Sequence, residues 1–374
     1  MSKHLSHQQI QRYSRHLLIP EIGLEGQAKL QAASVLIVGT GGLGSPVALY
    51  LAAAGVGRLG LVDGDVIALS NLQRQIIHDQ TRLGTSKVAS ASQRINDLNA
   101  DVRVDCYDEN FTVENAMQIA APYDFIVDCS DNFATRYLTN DVCVLTGKPN
   151  IFGSIHHFHG QASVFYAQEG PCYRCLFPRP PAPQPSPGVA SMVPGTIGSI
   201  QASEALKMIL GIGEPLFGRL LLYDALEMSF ETVQLRANPH CKVCGDDPEI
   251  TALSDLDDYR IEPVDELDAD QRISPLDLKA RLEAGESLRL IDVRAAHELN
   301  ISRIERADSI PLENFSTQLD HLEHDEQIVM ISRAGVAARQ ALERLAAKGF
   351  SHVRVLEGGI NAWARQVDPS LPVY

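Results

Sequence analysis

The sequence lacks long apolar runs. No stretch of about 18 consecutive apolar residues occurs in the 374-residue chain, although a helix needs roughly that many to cross a bilayer. The first residues, MSKHLSHQQIQRYSRHL, are polar and lack the apolar core of a signal peptide. Both absences disfavour a membrane protein, and we predict a cytoplasmic one.

Basic charge is also in short supply. The chain has 32 Lys and Arg residues against 47 Asp and Glu residues, which gives a formal net charge of -15. Proteins that bind nucleic acid need a basic face that neutralises phosphates, so this balance disfavours a nucleic-acid partner. Residues 246–270 alone hold eleven acidic residues and one base, Arg260, and we interpret this run as a solvated linker.

Cysteine is scarce, and its spacing is informative. The chain has seven cysteines and none beyond Cys244. Four of them form two C-x-x-C pairs, Cys172 with Cys175 and Cys241 with Cys244. Two such pairs suit a closed, structural Zn²⁺ site with four thiolate ligands. A redox site would instead be one exposed C-x-x-C beside a thioredoxin-like turn, so we favour zinc.

Strand and helix patterns alternate in the first part of the chain. The apolar segment Ser34–Val38 predicts a buried strand, residues 39–44 a glycine turn, and residues 45–54 a helix. Another strand is predicted at residues 58–65, and the apolar strand in YDFIVDCSDN ends near Asp131. This alternation predicts a doubly wound, mainly parallel sheet whose ligands bind at the carboxyl ends of the strands. The later segments QASVFYAQEG and GRLLLYDALEMSFETVQL indicate partly antiparallel strands.

A second, smaller α/β domain follows the acidic run. A helix is predicted in SPLDLKARLEAG, and strands are predicted in LRLIDVR, EQIVMISR and HVRVLEGG. We therefore place a first domain at 1–248, a linker at 249–270 and a second domain at 271–374. Residues 177–195, FPRPPAPQPSPGVASMVPG, are rich in proline, so we expect them to form a loop outside helices and sheets.

The segment GTGGLG follows a strand and opens a helix, which is how a backbone approaches phosphate groups. Asp63 ends the next strand, where it can bond ribose hydroxyls. An NAD dehydrogenase would fit these two features equally well. Arg74, Lys87 and Asp131 favour chemistry at phosphorus instead, because the two cations neutralise a triphosphate and an aspartate binds Mg²⁺.

Seven segments of the chain carry a family resemblance: RYSRHLLIPEIGLEGQ, VLIVGTGGLGSPVALYLAAAGVG, LVDGDVIALSNLQRQ, GTSKV, DCSDN, PCYRCLF and HCKVC. Together they resemble the ubiquitin-activating (E1-like) adenylyltransferases, and most closely the bacterial enzymes that activate the sulfur carriers of molybdopterin synthase and thiamine synthesis. The segments SPLDLKARLEAGESLRLIDVR, IPLENF and VLEGGINAWA resemble rhodaneses. The resemblance is thus to the longer form of this family, which has a C-terminal rhodanese domain.

The resemblance implies that ATP activates a small ubiquitin-like carrier protein ending in Gly-Gly. The carrier's terminal carboxylate attacks the α-phosphate, which gives an acyl-adenylate and pyrophosphate. Asp131 is implied to serve Mg²⁺ and catalysis, and Arg74 and Lys87 to hold phosphates. Arg15 would reach the γ-phosphate from a partner subunit, which implies a homodimer. The implied nucleotide-binding residues are Gly39, Gly41, Gly42, Gly44, Asp63, Ser70, Asn71, Arg74, Lys87, Asp131 and Asn132.

The chain departs from the resembled pattern at two sulfur-handling positions. The family loop after the first cysteine pair usually carries a cysteine, but residues 177–195 have only the hydroxyls of Ser186 and Ser191. Rhodanese loops usually begin with cysteine, and here the loop begins with Ser332. A serine hydroxyl cannot accept sulfane sulfur, so we expect this domain not to be a sulfurtransferase. The loop could still bind an anion or a partner, or serve packing alone.

Three alternatives remain open beside adenylation of a sulfur carrier. An NAD-dependent oxidoreductase would need an acid or base at a hydride site, and none is evident. A non-enzymatic E1-like scaffold is disfavoured because the implied nucleotide-binding residues are complete. Activation of a different carboxylate or a peptide for a non-sulfur product stays within the same chemistry. Under the preferred hypothesis, sulfur comes from an external donor.

Overall fold

The structure is a computed structural model that describes residues 5–181, 188–253, 259, 267–315, 318 and 321–374. The described residues form two compact units. Unit 1 has Tyr259 as its last described residue, and the described part of unit 2 begins at Leu267. Most of the predicted linker 249–270 and Ser186 lie outside the described residues, so the two boundaries between the three predicted segments stay predictions.

Strands and helices alternate in unit 1 after three N-terminal helices. Its helices are α1 (His7–Arg12), α2 (Ser14–Leu17), α3 (Gly23–Ala32), α4 (Gly44–Ala54), α5 (Lys87–Leu98), α6 (Ala116–Ala120), α7 (Phe133–Thr146), α8 (Tyr173–Leu176) and α9 (Met192–Leu210). Its strands are β1 (Ser34–Val38), β2 (Arg58–Val62), β3 (Arg103–Tyr107), β4 (Phe125–Asp128), β5 (Asn150–His156), β6 (His159–Phe165), β7 (Arg219–Asp224) and β8 (Ser229–Gln234).

The strands of unit 1 form one sheet with the order β3-β2-β1-β4-β5-β6-β7-β8. The first five strands in this order run parallel, and β6, β7 and β8 pair antiparallel. This confirms the predicted doubly wound, mainly parallel sheet and its antiparallel extension. Within the described residues, the structure holds no helix long and apolar enough to cross a membrane.

Strand β1 is buried on both faces, as expected at the centre of a parallel sheet. Val35 and Ile37 pack in the core formed with α4, α5 and α9. Leu36 and Val38 point to the opposite face and pack with α6 and α7. Burying each such aliphatic side chain contributes about 2 kcal/mol. The central strand, whose end leads into the glycine turn, is therefore firmly placed.

Helix α9 corrects one expectation from the sequence. Residues 177–195 were expected to stay outside helices, but α9 begins at Met192. Pro194 lies in the first turn, where backbone N–H groups have no partner within the helix, so its missing N–H costs nothing there. Residues 182–187 of the same segment lie outside the described residues.

Unit 2 is a small α/β domain built around a parallel sheet. Its strands are β9 (Arg272–Ile273), β10 (Arg289–Asp292), β11 (Asp308–Ser309), β12 (Ile328–Ile331) and β13 (Val353–Leu356), and its helices are α10 (Pro275–Glu283), α11 (Ala296–Leu299), α12 (Val336–Ala346) and α13 (Gly359–Gln366). The strand order is β11-β10-β12-β13-β9, with parallel neighbours throughout. The predicted architecture is confirmed, although the two-residue strands β9 and β11 were not predicted.

Candidate active site

Three segments leave the sheet of unit 1 at the same edge. Strand β1 leads into residues 39–44, β2 into Asp63, and β4 into residues 129–132. Successive strands are added on one side of β1 from β2 to β3, and on the other side from β4 to β5. The strand order therefore reverses between β1 and β4, which is where sheets of this type bind ligands.

The glycine turn after β1 depends on two close approaches of the backbone. Gly39 has a φ of +92°, and a Cβ atom there would lie 2.9 Å from the carbonyl oxygen of Cys129. A Cβ atom on Gly44 would overlap the carbonyl oxygen of Gly39. Only glycine fits these positions without displacing the backbone, so the turn after β1 lies directly against the loop after β4.

Asp63, Asp65 and Lys87 form a charged network beside this turn. The Asp63 carboxylate accepts hydrogen bonds from the backbone N–H of Thr40 (2.8 Å) and from its hydroxyl (3.0 Å). Lys87 is 6% exposed, and its Nζ lies 2.7 Å from Asp65 and 3.9 Å from Asp63. The residues predicted to meet ribose and phosphate are thus adjacent, and Asp65 is a partner of Lys87 that the sequence analysis did not single out.

Asn71 and Arg74 lie in the turn that follows β2. The Asn71 side-chain oxygen accepts the backbone N–H of Ala68 (2.9 Å), which closes the short 3₁₀ turn at this point. Arg74 donates to the backbone oxygen of Ser70 (3.2 Å). A Cβ atom on Gly42 would lie 3.6 Å from Cγ of Arg74, so this cation borders the glycine turn as predicted.

Asp131 and Asn132 complete the edge at the end of β4. Asp131 is exposed, whereas Asn132 is half-buried. The Asn132 side-chain oxygen accepts the backbone N–H of Thr135 (2.8 Å) and so caps the start of α7. This cap holds Asn132 at the start of α7. The side chain of its neighbour Asp131 is exposed, one residue after Ser130, whose backbone N borders Gly39.

Arg15 lies apart from this edge within its own chain. It is exposed on α2, two residues after Tyr13. The Tyr13 ring contacts Gly55, which ends α4 on the side opposite the glycine turn. Helix α4 has 11 residues, so Gly55 lies about 16 Å from the turn along the helix axis. Arg15 is therefore remote from the glycine turn of its own chain.

The four paired cysteines converge in unit 1. Their sulfur atoms all lie within 4.8 Å of one another, with 3.5 Å between Cys172 and Cys241 and 3.4 Å between Cys175 and Cys244. Thiolates that bind Zn²⁺ tetrahedrally at about 2.3 Å have their sulfur atoms about 3.8 Å apart. The spacing fits a four-thiolate metal site.

Helix α7 anchors the first cysteine pair. The Asn140 side-chain oxygen accepts the backbone N–H of Tyr173 (2.7 Å). Arg174, between the two cysteines and 1% exposed, forms an ion pair with the fully buried Asp141 at 2.7 Å. The hydroxyl of Tyr259 donates to the same carboxylate (2.7 Å). Removing one partner would leave a buried charge uncompensated, so this contact fixes the position of the cysteine turn.

The loop after β12 in unit 2 joins a strand to a helix, and its first side chain is buried. Ser332 is 2% exposed, and its hydroxyl accepts the backbone N–H of Gly335 (3.0 Å). Gly335 has a φ of +108° and precedes α12. The backbone oxygens of Ser332 and Arg333 accept N–H groups from the start of α13. The loop is therefore held by one hydrogen bond within itself and by two from α13.

Comparison with known proteins decides the family. A family model described as "ThiF family" matches residues 13–243. The chain belongs to the ThiF family. A second model, "Rhodanese-like domain", matches residues 274–366, which lie within unit 2. In this ThiF-family chain the adenylation-type sheet and the rhodanese-like sheet are thus consecutive parts of one polypeptide.

Relatives of this ThiF-family chain match it over nearly its whole length. "Adenylyltransferase and sulfurtransferase MOCS3-1" of Zea mays is 42% identical over 390 residues, covering 98% of this chain and 83% of that protein. "Probable adenylyltransferase/sulfurtransferase MoeZ" of Mycobacterium tuberculosis is 44% identical over 386 residues, covering 99% and 96%. The crystal structure of E. coli MccB with MccA-N7isoASN aligns with a TM-score of 0.57 at 23% identity over 65% of this chain and 76% of that one. That likeness is one of fold.

A buried histidine that the sequence analysis missed lies next to the glycine turn of this ThiF-family chain. His78 is 7% exposed, its Nε2 lies 3.2 Å from the Thr40 carbonyl oxygen, and its Nδ1 lies 3.0 Å from the Ser90 hydroxyl. A carbonyl oxygen only accepts, so Nε2 carries the proton and Nδ1 accepts from Ser90. Burial, and to a lesser extent the charge of Lys87, lowers the pKa of His78. The neutral ring therefore fixes the glycine turn through its hydrogen bond to the Thr40 carbonyl oxygen.

Proposed function

We propose that this protein is a cytoplasmic, ATP-dependent adenylyltransferase that activates the C-terminal glycine carboxylate of a small ubiquitin-like sulfur-carrier protein ending in Gly-Gly. The observation that carries the proposal is the convergence of the glycine turn, the Asp63–Lys87 network and Asp131 at the reversal of strand order. The names of the relatives at 42% and 44% identity support the same activity.

The reaction forms one bond and breaks one. A carboxylate oxygen of the carrier's terminal glycine attacks the α-phosphorus of ATP, and the bond from that phosphorus to the bridging oxygen breaks. The electron pair of that bond leaves with pyrophosphate, and the carrier is left as an acyl-adenylate. The step needs no side-chain nucleophile, so the protein acts through orientation and charge stabilisation.

Different residues at the carboxyl edge of the sheet bind different parts of ATP. Backbone N–H groups of the glycine turn, at the start of α4, meet the phosphates, and Asp63 meets the ribose. Lys87 exchanges its contact with Asp65 for a phosphate oxygen, and Arg74 adds a second positive charge. Both cations act more strongly on charge that develops at the α-phosphate and the leaving pyrophosphate than on the bound substrate.

Asp131 fits a Mg²⁺ ligand because its side chain is exposed in the loop after β4, and the preceding residues of that loop, Cys129 and Ser130, border the glycine turn. Hard divalent cations prefer carboxylate oxygens together with phosphate oxygens. When bound there, Mg²⁺ would neutralise negative charge on the phosphates. Asp131 would hold the metal, and through it would help to orient the phosphates toward the incoming carboxylate.

A homodimer with shared sites accounts for Arg15. This arginine is exposed and lies toward the end of α4 that is remote from the glycine turn. Leu18 and Leu24, on the same N-terminal helices, are 75% and 64% exposed. A partner subunit that covers these helices would also bury those apolar side chains. We propose that Arg15 reaches the γ-phosphate in the other subunit.

The four-cysteine cluster is proposed to bind one Zn²⁺ with a structural role. All four positions of a tetrahedral shell are filled by thiolates, so no position is open for substrate or water. His240 is therefore not needed as a ligand. The metal would join the turn at α8 to the segment around Cys241, which are distant in sequence.

The second domain, proposed at 271–374, is not a sulfurtransferase under this proposal. Both relatives named above carry "sulfurtransferase" in their names, but the loop after β12 offers Ser332, and no cysteine follows Cys244. A hydroxyl cannot form the persulfide that sulfur transfer requires. Sulfur would reach the acyl-adenylate from free sulfide or a separate donor.

Carrier-dependent ATP–pyrophosphate exchange tests the proposal. The protein is incubated with ATP, Mg²⁺, labelled pyrophosphate and candidate carriers that end in Gly-Gly. We expect exchange with at least one carrier and none with the same carrier lacking its terminal glycine. Absence of exchange with every carrier, together with reduction of NAD by some substrate, would exclude the adenylation reaction.

A further inference from the structure

Ser130, the residue before Asp131, forms hydrogen bonds with two buried charged side chains, Asp128 and Arg136. The Asp128 carboxylate accepts the backbone N–H of Ser130 (3.0 Å) and its hydroxyl (2.5 Å). The Arg136 guanidinium donates to the backbone oxygen of Ser130 (3.1 Å). That oxygen belongs to the peptide bond that leads into Asp131, so the two groups fix the orientation of the chain where Asp131 begins.

Burial of the Asp128 carboxylate and of the Arg136 guanidinium costs free energy, because both are charged groups. Asp128 is 0% exposed and Arg136 is 7% exposed. One Asp128 oxygen, Oδ2, and the Arg136 Nε have no hydrogen-bond partner among the residues that the structure describes. Burial raises the pKa of Asp128, and the charge of Arg136 opposes that rise. Buried groups left partly unsatisfied do not maximise stability, which points to a role beyond folding.

The surroundings of Arg136 leave its guanidinium little freedom. It lies 5.1 Å from the centre of the Phe152 ring and 5.6 Å from that of Phe133. Its Nη1 donates to the Ser154 hydroxyl at 3.4 Å. Strand β5 and helix α7 thus both restrain the side chain that holds the Ser130 oxygen.

A second anchor follows Asp131 directly. The side chain of Asn132 caps α7 through the N–H of Thr135 (2.8 Å). Asp131 therefore lies between two fixed residues, Ser130 and Asn132, and is itself exposed. This arrangement leaves the Asp131 side chain as the part of the segment that can meet a ligand.

We propose that Asp128 and Arg136 are positioning residues that act through Ser130 to orient the Asp131 carboxylate for the adenylation step. The inference rests on the function proposed above, in which Asp131 serves Mg²⁺ and catalysis. A misplacement of about 1 Å can lower a rate about 100-fold. ATP itself is contacted by the glycine turn, Asp63, Arg74 and Lys87, so releasing Ser130 affects the rate and the use of Mg²⁺ more than the KM for ATP.

The test is ATP–pyrophosphate exchange by Arg136→Met and Arg136→Lys in the full chain. For Arg136→Met we expect kcat to fall about 30- to 100-fold and the Mg²⁺ concentration for half-activation to rise several-fold, while the KM for ATP stays within about 3-fold. Arg136→Lys should recover part of kcat, because an ammonium group can still donate to the Ser130 oxygen. A merely structural role would lower the active fraction and leave the Mg²⁺ requirement unchanged.

Arg58→Met is the matched control. Arg58 also lies over an aromatic ring, 4.8 Å from the centre of Tyr123, and bonds the Asp105 carboxylate, but it is at the start of β2, on the opposite edge of the sheet. We expect its kcat to stay within about 2-fold of wild type, which is the usual scale for a substitution away from the site.

The outcomes separate this inference from the proposed function. Wild-type protein without exchange on any carrier would overturn both. Wild-type exchange that is lost in Asp131→Ala but retained in Arg136→Met, with an unchanged Mg²⁺ requirement, would overturn the positioning role alone. If Arg136→Met does not fold, as judged by circular dichroism, Arg136→Lys and Asp128→Asn carry the test, and unchanged kcat in both would overturn the role.

Discussion

The loop after β4 in unit 1 and the loop after β12 in unit 2 occupy similar positions in their sheets but present different side chains. Each follows a parallel strand at the carboxyl edge of its sheet and leads into a helix, α7 or α12. In unit 1 the loop presents an exposed carboxylate, Asp131, between anchored neighbours. In unit 2 the corresponding side chain, Ser332, is 2% exposed and accepts an N–H group of its own loop.

This difference shows that loop geometry and chemical capacity are separate properties. The unit 2 loop retains a glycine of positive φ at Gly335 and hydrogen bonds to α13, although Ser332 cannot carry sulfur. The unit 1 loop has buried charges, Asp128 and Arg136, next to the residue proposed to act. A fold can outlast the reaction of its site, so function is argued from side chains.

The strongest test of this contrast pairs one substitution in each loop. Asp131→Ala should lower carrier-dependent ATP–pyrophosphate exchange at least about 10³-fold, because it removes the carboxylate proposed to orient the metal-bound phosphates. Ser332→Ala should leave exchange at the wild-type level. Loss of exchange in Ser332→Ala would mean that the unit 2 loop takes part in adenylation.

Substitution of one cysteine tests whether the four-cysteine cluster of unit 1 binds a metal and whether that metal stabilises the protein. Cys175→Ser should abolish metal binding, measured by atomic emission, and lower the midpoint of thermal unfolding by more than about 10 °C, because metal binding and folding are coupled. Cys106→Ser is the control, since Cys106 is exposed and outside the cluster. Equal metal content in both variants would contradict a four-thiolate site.

Restoring a thiol in unit 2 tests whether the loop lacks only its sulfur atom. We expect Ser332→Cys to show little thiosulfate:cyanide sulfurtransfer, measured as thiocyanate. The side chain at this position is 2% exposed, and Ala337 stands where the resembled rhodanese loop usually has arginine. Turnover comparable to that of a rhodanese with its own cysteine would show that the thiol was the single missing part.

The smallest expected effect concerns the histidine behind the glycine turn. The pKa of His78 is lowered in the folded protein, so the unfolded chain binds the proton more tightly. His78 therefore contributes stability above its unfolded pKa of about 6.5, and that contribution falls as pH drops toward the folded pKa.

Urea unfolding of wild type and His78→Gln between pH 7.5 and pH 5 measures this contribution. The difference in unfolding free energy between the two proteins should shrink with falling pH, by at most about 1.4 kcal/mol per pH unit. Glutamine can still donate to the Thr40 carbonyl but does not titrate. If the difference in unfolding free energy were constant across this pH range, unfolding would not change the protonation of His78.

Much of the fold could be predicted from the sequence because the hydrophobic pattern determines it. The continuous apolar run at Ser34–Val38 predicts a strand buried on both faces, and that is what the structure has. The spacing of Cys172, Cys175, Cys241 and Cys244 predicts their convergence because few chemistries need two such pairs. The start of helix α9 was missed because the proline-rich composition of residues 177–195 predicted a loop, whereas Pro194 is harmless in a first turn.

The supporting residues of the site could not be predicted in the same way. Asp128 ends an apolar strand and opens the DCSDN segment, but that motif pointed only to Asp131 and Asn132 as site residues. Arg136 lies in the first turn of the next helix, outside the motif. Their relation to Ser130 depends on how the chain turns between the strand and the helix. His78 likewise meets Thr40 across 38 positions of sequence. Such contacts follow from tertiary geometry, which periodicity does not encode.

Helix α7 has a consequence for how the protein folds. Its first turn holds the peptide before Asp131 through Arg136, and its middle holds the cysteine turn through Asn140 and Asp141. One helix of 14 residues thus contacts both regions, and we expect them to open together as one cooperative unit. Amide hydrogen exchange along α7 would then report one common protection free energy, from its first turn beside the nucleotide edge to its middle beside the cysteine cluster.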